Sequence, residues 1–127
     1  MVRLTIVPVI LAALWISASE FFRNELLLQR FWHDHYAAMG LDFPNDPMNG
    51  MVWGIWSLGL AIGLQSVLRK FEFWQAVALT WFMGFVLMWL VTGNMAVLPF
   101  GILVYAIPLS IIEVAVAAVI IRRMSRN

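Results

Sequence analysis

Residues 51–68 read MVWGIWSLGLAIGLQSVL and residues 73–91 read FWQAVALTWFMGFVLMWLV, and neither stretch contains a charged side chain. A helix that crosses the apolar core of a bilayer needs about 20 mostly apolar residues. Each stretch is therefore long enough to form a membrane span. The link between them, residues 69–72, is so short that the two helices are expected to be antiparallel neighbours.

Two further stretches of the chain have the same character. Residues 4–22 contain one charged residue, Glu20, and residues 99–121 also contain one, Glu113. The sequence therefore predicts an all-α integral membrane protein, built as an antiparallel bundle of four transmembrane helices that forms a single domain over residues 1–127. The partner that surrounds such a bundle is the lipid bilayer.

The composition excludes several other classes of protein. Hydrophobic residues make up 63% of the 127 residues and charged residues 12%, against about 25% charged residues in soluble domains. A soluble fold of this length cannot bury that much apolar surface. The net charge of +1 offers no basic face to phosphates, so nucleic acid is excluded as a partner. The chain has no cysteine and no nucleophile elbow, phosphate loop or HExxH motif, and we expect no cofactor.

The basic residues are unequally divided between the two sides of the predicted bundle. If the N-terminus is inside, only Arg23 and Arg30 lie outside, and six basic residues lie inside: Arg3, Arg69, Lys70, Arg122, Arg123 and Arg126. Cytoplasmic loops of membrane proteins carry an excess of Lys and Arg. We therefore expect both termini in the cytoplasm and the protein in a plasma membrane or bacterial inner membrane.

A signal peptide is the alternative interpretation of the first span. Residues 3–19 contain a basic residue, an apolar run and small residues in the order of a signal sequence, and cleavage would leave three spans. However, neither Gly nor Pro occurs between Pro8 and Gly40. This absence favours one long helix that continues past the membrane.

The segment between the first two spans, residues 23–50, is predicted to lie outside the bilayer. A helix from about Thr5 to about Tyr36 would measure about 45 Å, against an apolar core of about 30 Å. Its amphipathic second half would therefore stand out of the bilayer or bend to lie on it. The pattern suits either the outer interface or a cap on the bundle. Residues 40–50 contain two Pro and two Gly and are predicted to form turns.

Glu113 is the first candidate for a functional residue. We place it about 12 Å from the cytoplasmic end of the fourth span, where a carboxyl group is costly and often serves a proton or ion pathway. Ser57 and Thr80 are predicted to lie in the same layer of the membrane. We expect Glu113 to face the interior of the bundle and to take a hydrogen bond or a water from that layer. A purely structural Glu113, protonated and hydrogen-bonded across helices, is the alternative.

A second cluster of polar residues ends the first span. Glu20 is spaced to contact Arg23 or Asn24 on one helical face, near the outer rim of the bilayer, and Ser17 lies on the same stripe. The cluster is either a salt bridge that ends the span or a vestibule that captures a polar solute.

Three other polar residues are weaker candidates. His33 and His35 are two residues apart and do not share a helical face, so a metal site is not expected and a solvated pair is favoured. Asn94 lies in the uncharged link between the third and fourth spans.

Three pairs of small residues are spaced to let helices approach closely: Gly59 with Gly63, Ala13 with Ser17, and Ala106 with Ser110. We expect them to pack mainly within one chain, and we also expect a homo-oligomer or a larger membrane complex, because four helices rarely enclose a pore alone.

Three classes of function stay open at this point. The first is a proton-linked carrier or channel component that uses Glu113. The second is an accessory or binding subunit of a membrane complex. The third is a lipid-modifying intramembrane enzyme that uses Glu20, His33 or His35; overall, a protein that is not an enzyme is favoured.

Overall fold

The computed structural model describes residues 2–126, apart from the side chains of Val2 and Leu4. This part of the chain contains no β-strand and is built almost entirely from helices. The elements in chain order are α1 (Val2–Phe21), a first π-helical segment (Phe22–Leu27), α2 (Gln29–Ala38), α3 (Pro47–Leu68), α4 (Phe73–Trp81), a second π-helical segment (Phe82–Val86), α5 (Leu87–Asn94), a 3₁₀ turn (Phe100–Ile102) and α6 (Leu103–Ser125).

Four continuous helical stretches are long and apolar enough to cross a membrane, namely Thr5–Leu27, Pro47–Leu68, Phe73–Asn94 and Phe100–Ser125. They confirm the predicted all-α architecture of four spanning helices. Each stretch extends beyond the predicted span at one end. The second begins at Pro47, which was predicted as a turn, because proline suits the first helical position, where the backbone N–H has no partner.

The first spanning helix is the centre of the bundle and packs against both α3 and α6. Its buried face carries small side chains, Ala12 and Ala13, and α6 contributes Ala117 and Ala118 to the same core. Helices in lipid associate mainly through close packing, which small residues permit. The core of the bundle therefore lies between α1, α3 and α6.

Two of the three predicted pairs of small residues differ in what surrounds them. Ala106 and Ser110 are buried in the bundle, whereas a methyl group added at Gly59 or Gly63 would meet no atom of a neighbouring element within 4 Å. The expectation that this glycine pair packs within the chain is therefore wrong, because α3 turns these glycines away from its neighbours. The predicted homo-oligomer or larger complex stays a prediction.

Gly84, in the second π-helical segment, is the glycine with the shortest distance from an added Cβ atom to a neighbouring side chain. A Cβ atom added there would lie 2.9 Å from Cδ1 of Leu60 on α3. We expect Gly84→Val to lower the free energy of unfolding by about 1 kcal/mol, the low end of the range for overpacking, because Cδ1 is the far end of a leucine side chain that can move aside. The check is reversible unfolding in micelles, with Gly54→Val as the matched control, because a Cβ at Gly54 meets nothing within 4 Å. Equal losses in the two variants would contradict close packing at Gly84.

The predicted continuous helix from Thr5 to Tyr36 is interrupted at Leu28, whose φ of −107° and ψ of 11° are not helical. Leu28 is buried against Leu98 and Ile102, and this contact anchors the break. The chain thus follows the predicted alternative, in which the amphipathic extension caps the bundle.

The amphipathic segment that follows Leu28 covers the connection between α5 and α6. The ring of Phe31 lies against Gly101, and the Nε2 atom of His35 is 2.8 Å from the carbonyl oxygen of Ala96. Ala96 has a positive φ of 62°, which turns the chain at this point. We call residues 28–46 the lid, the end of the bundle beneath it the lid end, and the opposite end, where α1 begins and α6 ends, the termini end.

Candidate functional site

Three charged side chains are buried together inside the bundle. Glu20 and Arg23 of the first spanning helix are 3% and 4% exposed, and Glu113 of α6 is fully buried. Nη2 of Arg23 is 2.5 Å from Oε1 of Glu20, and its Nη1 is 3.6 Å from Oε1 of Glu113. We call these three residues the charged triad. It contains two carboxyl groups and one guanidinium, so it carries a charge of −1 if both carboxyl groups are ionised.

The antiparallel arrangement of α1 and α6 explains why these side chains meet. The indole N–H of Trp15 donates a hydrogen bond of 2.9 Å to the backbone oxygen of Glu113, so these two residues lie at one level. Every helical side chain leans toward the N-terminus of its own helix. Glu113 therefore leans toward the lid end, while Arg23 leans toward the termini end, and the two approach each other.

Two π-helical segments also meet at the triad. The backbone N–H of Leu28 donates to the carbonyl oxygen of Arg23 at 2.8 Å, a step of five residues instead of four. On the opposite side, the second π-helical segment carries Phe85, which is fully buried. The guanidinium carbon of Arg23 lies 5.4 Å from the centre of the Phe85 ring, within the range of a cation–π contact. Single π-helical turns inside α-helices are frequent at functional sites.

The predicted position of Glu113 in the interior of the bundle is confirmed, but the predicted direct hydrogen bonds from Ser57 and Thr80 to Glu113 are wrong. The hydroxyl of Ser57 donates to the carbonyl oxygen of Trp53 in its own helix at 2.8 Å. The hydroxyl of Thr80 and both carboxyl oxygens of Glu113 are buried and form no hydrogen bond with any residue in the range 2–126. The neighbour of the Glu113 carboxyl is instead the Arg23 guanidinium.

Glu113 lies near the middle of the fourth helical stretch, which runs from Phe100 to Ser125. The predicted distance of about 12 Å between Glu113 and the end of the span depends on where the bilayer surface crosses this helix, and it stays a prediction.

The predicted contact of Glu20 with Arg23 or Asn24 is confirmed for both partners. In addition to the ion pair, Nδ2 of Asn24 donates to Oε2 of Glu20 at 3.0 Å. The indole N–H of Trp32 in the lid donates to Oδ1 of Asn24 at 3.1 Å. Asn24 thus links the charged triad to the lid.

A cavity of about 310 Å³ opens between the lid and the helices at the lid end. Glu20, Arg23 and Asn24 contribute to its lining. A second cavity of about 420 Å³ adjoins it, shares Glu20 and Asn24, and includes Ser17. Glu113 lines neither cavity. The triad therefore has an accessible part, Glu20 with Arg23, and an enclosed part, Glu113.

The remaining candidates lie away from the triad. His33 packs beside the Phe43 ring, and His35 contacts Ala96; within residues 2–126, neither forms a hydrogen bond or ion pair with a carboxyl group. No three His, Asp or Glu side chains of that range come close enough to hold a metal ion. Asn94 is exposed at the end of α5 and lines neither cavity at the lid end.

Two hydrogen bonds from indole groups hold α6 in place, and neither was predicted from the sequence. The indole N–H of Trp81 donates to the hydroxyl of Ser110 at 2.8 Å, and that hydroxyl donates to the carbonyl oxygen of Ile107 at 3.0 Å. With the hydrogen bond from Trp15, α6 is thus held at two neighbouring positions, Glu113 and Ser110. A buried indole N–H needs a partner, and this requirement was the signal available in the sequence.

Comparison with known proteins adds no relative: no protein-family model matches the chain, and neither the curated proteins nor the solved structures contain a match.

Proposed function

We propose that this protein is a small proton-linked carrier component whose proton site is Glu113. The observation that carries the proposal is the charged triad itself, two buried carboxyl groups with one buried guanidinium. Ionisable residues inside membrane spans are costly and commonly mark ion pathways and proton relays. One bound proton makes the triad electrically neutral, and loss of that proton leaves it with a charge of −1.

The unequal geometry of the triad supports Glu113 as the carboxyl that holds the proton. Arg23 contacts Glu20 at 2.5 Å, but its approach to Glu113 is looser, at 3.6 Å. The guanidinium therefore neutralises Glu20 more fully than Glu113. When a solute at the lid end neutralises Glu20, Arg23 is free to move closer to Glu113, which then releases its proton. Binding of solute and release of a proton would be coupled in this way.

We further propose that the termini face the cytoplasm and that the lid end faces outward, in a plasma membrane or bacterial inner membrane. The six-to-two division of basic residues supports this orientation. The cavities at the lid end then give Glu20 and Arg23 access to the outer side.

The test uses the full chain in lipid vesicles that contain a pH-sensitive dye. Gradients of small cations, anions and neutral solutes are imposed in turn, and we expect one class to drive proton movement above that of protein-free vesicles. Glu113→Gln keeps the size of the side chain but cannot release a proton, so its proton movement should fall to the protein-free level. Asp34→Asn, the same change at an exposed residue of α2, should behave as wild type.

Two results would overturn the proposal. One is proton movement by Glu113→Gln at the wild-type rate. The other is the failure of all three solute classes to move protons through the wild-type protein.

A further inference from the structure

Aromatic side chains form part of the lining of the 310 Å³ cavity at the lid end. Five aromatic side chains contribute to its lining, three from the lid and one each from α3 and α5: Trp32, Tyr36, Phe43, Trp53 and Trp89. The lid rings pack on one another, with the centres of Trp32 and Phe43 5.5 Å apart and those of Tyr36 and Phe43 5.2 Å apart. The hydrogen bond between Trp32 and Asn24 links these rings to the polar residues that line the cavity. The cavity therefore has preformed aromatic walls.

The charged lining of the same cavity is mainly acidic. It contains Glu20, Glu25 and Arg23. The guanidinium of Arg23 is paired with Glu20 and lies beside Glu113 and the ring of Phe85. Its Nη1 atom is buried and forms no hydrogen bond with any residue in the range 2–126. Glu25 is half-buried and forms no ion pair with any residue between 2 and 126. The negative charge on Glu25 therefore has no compensating cation, and an anionic ligand would be repelled.

We propose that this cavity binds a small organic cation of the alkylated ammonium class. Aromatic faces attract such cations through their ring quadrupoles, and aromatic cages with a nearby carboxylate recognise quaternary ammonium groups. A bare metal ion would require several oxygen ligands at short distance instead. The inference rests on the proposed function, since it assigns the class of solute that the carrier exchanges for protons.

The location of the site fits the coupling described above. Glu20 is at once a wall of the cavity and the tight partner of Arg23. A cation in the cavity would neutralise Glu20 and weaken its hold on Arg23. The organic cation would thus be the solute whose arrival displaces the proton from Glu113.

The test is isothermal titration of the full chain in lipid nanodiscs with tetramethylammonium, and with tert-butanol as an uncharged molecule of similar shape. We expect the cation to bind and the alcohol not to bind. Trp53→Leu and Glu25→Gln should each weaken binding of the cation by about threefold to tenfold, the range expected for one lost cation–π or charge contact. Trp74→Leu and Asp42→Asn, the same changes away from the cavity, should leave binding unchanged; Trp74 is 68% exposed and Asp42 is also exposed.

Several outcomes would overturn the inference. They are failure of tetramethylammonium to bind, equal binding of tert-butanol, and loss of binding in the two control variants as large as in the cavity variants. Titration needs no ion gradient, so it separates this inference from the proposed function. If the vesicles show proton movement with anions or neutral solutes but tetramethylammonium does not bind, the carrier stands and the cation site fails. If the cation binds but no solute moves protons, the site stands and the carrier fails.

Discussion

Arg23→Leu is expected to lower the free energy of unfolding by about 3–5 kcal/mol, because it leaves two buried carboxyl groups without their cation. Glu20 would lose its ion pair of 2.5 Å, and Glu113 would lose the guanidinium 3.6 Å away. The stacking of the guanidinium on Phe85 would disappear as well. The measurement is reversible unfolding in mixed micelles, followed by circular dichroism. Arg30→Leu is the matched control, since Arg30 is exposed on α2.

A triple variant separates stability from function at the same site. Replacing a whole buried ionic group by apolar residues of similar volume is often neutral or stabilising, in contrast to removing one partner. We therefore expect Glu20→Leu, Arg23→Met and Glu113→Leu, combined in one chain, to recover most of the stability lost by Arg23→Leu. The same triple variant should move no protons. A stable but inactive bundle would indicate that the charges are kept for proton exchange.

The triad would instead be a structural element if the triple variant were as unstable as Arg23→Leu alone. In that case, the hydrogen bonds around Glu20 and Asn24 would hold the first helix in place, and the proposed proton site would lose its main support. If Arg30→Leu lowered the free energy of unfolding by as much, the loss would be a general effect of removing an arginine in micelles and would not report on the triad.

The number and type of the helices were predictable from the sequence. The free energy of placing charged groups and unpaired backbone groups in lipid is large, and it depends on each stretch by itself. A stretch such as residues 73–91 has no charged residue, and in lipid its backbone groups can be satisfied only within a helix or a closed barrel. The contact of Glu20 with Arg23 was predictable for a similar reason, since residues three apart on a helix are neighbours. Both inferences depend only on spacing along the chain.

The pairing of Arg23 with Glu113 depends on long-range geometry, and counting residues from the ends of spans missed it. The count covered only residues within the predicted spans, and Arg23 had been assigned to the segment outside them. It also omitted the direction in which side chains lean, which brings a residue of α1 and a residue of α6 together from different levels. The search for a cation to pair with Glu113 would have been the better signal. A deeply buried acid requires a cation, and Arg23 directly follows the first predicted span.

The π-helical segments were hidden for another reason. On the first spanning stretch, the buried positions include Ile16, Glu20, Arg23 and Leu28. On the third spanning stretch, they include Thr80 and Phe85. An interval of five residues between buried positions therefore marks each π-helical segment. In a soluble protein, polar residues at the intervening positions would reveal this interval. Here, apolar residues face lipid as well as the core, and the periodicity is lost.

Phe85→Ala is expected to have an effect comparable to that of Arg23→Leu. Phe85 is fully buried and packs its ring against Trp56 at 5.6 Å, Trp89 at 5.8 Å and the Arg23 guanidinium at 5.4 Å. Removing a buried phenylalanine ring costs about 3–5 kcal/mol, which includes the cavity left behind. We therefore expect that loss in the free energy of unfolding. Phe82→Ala is the matched control from the same π-helical segment, because Phe82 is 46% exposed and its loss leaves no internal cavity.

Phe85→Leu separates the two roles of the ring. Leucine retains most of the apolar volume, so its cost in stability should be under about 1.5 kcal/mol, but it cannot hold the guanidinium by a cation–π contact. With that contact gone, Arg23 would be held less firmly between Glu20 and Glu113, and proton movement in vesicles should become less tightly coupled to the solute gradient. If Phe85→Leu matched wild type in coupling and Phe85→Ala matched Phe82→Ala in stability, the π-helical segment would serve neither the packing nor the charged triad. The five-residue interval that places Phe85 over Arg23 would then need another physical cause.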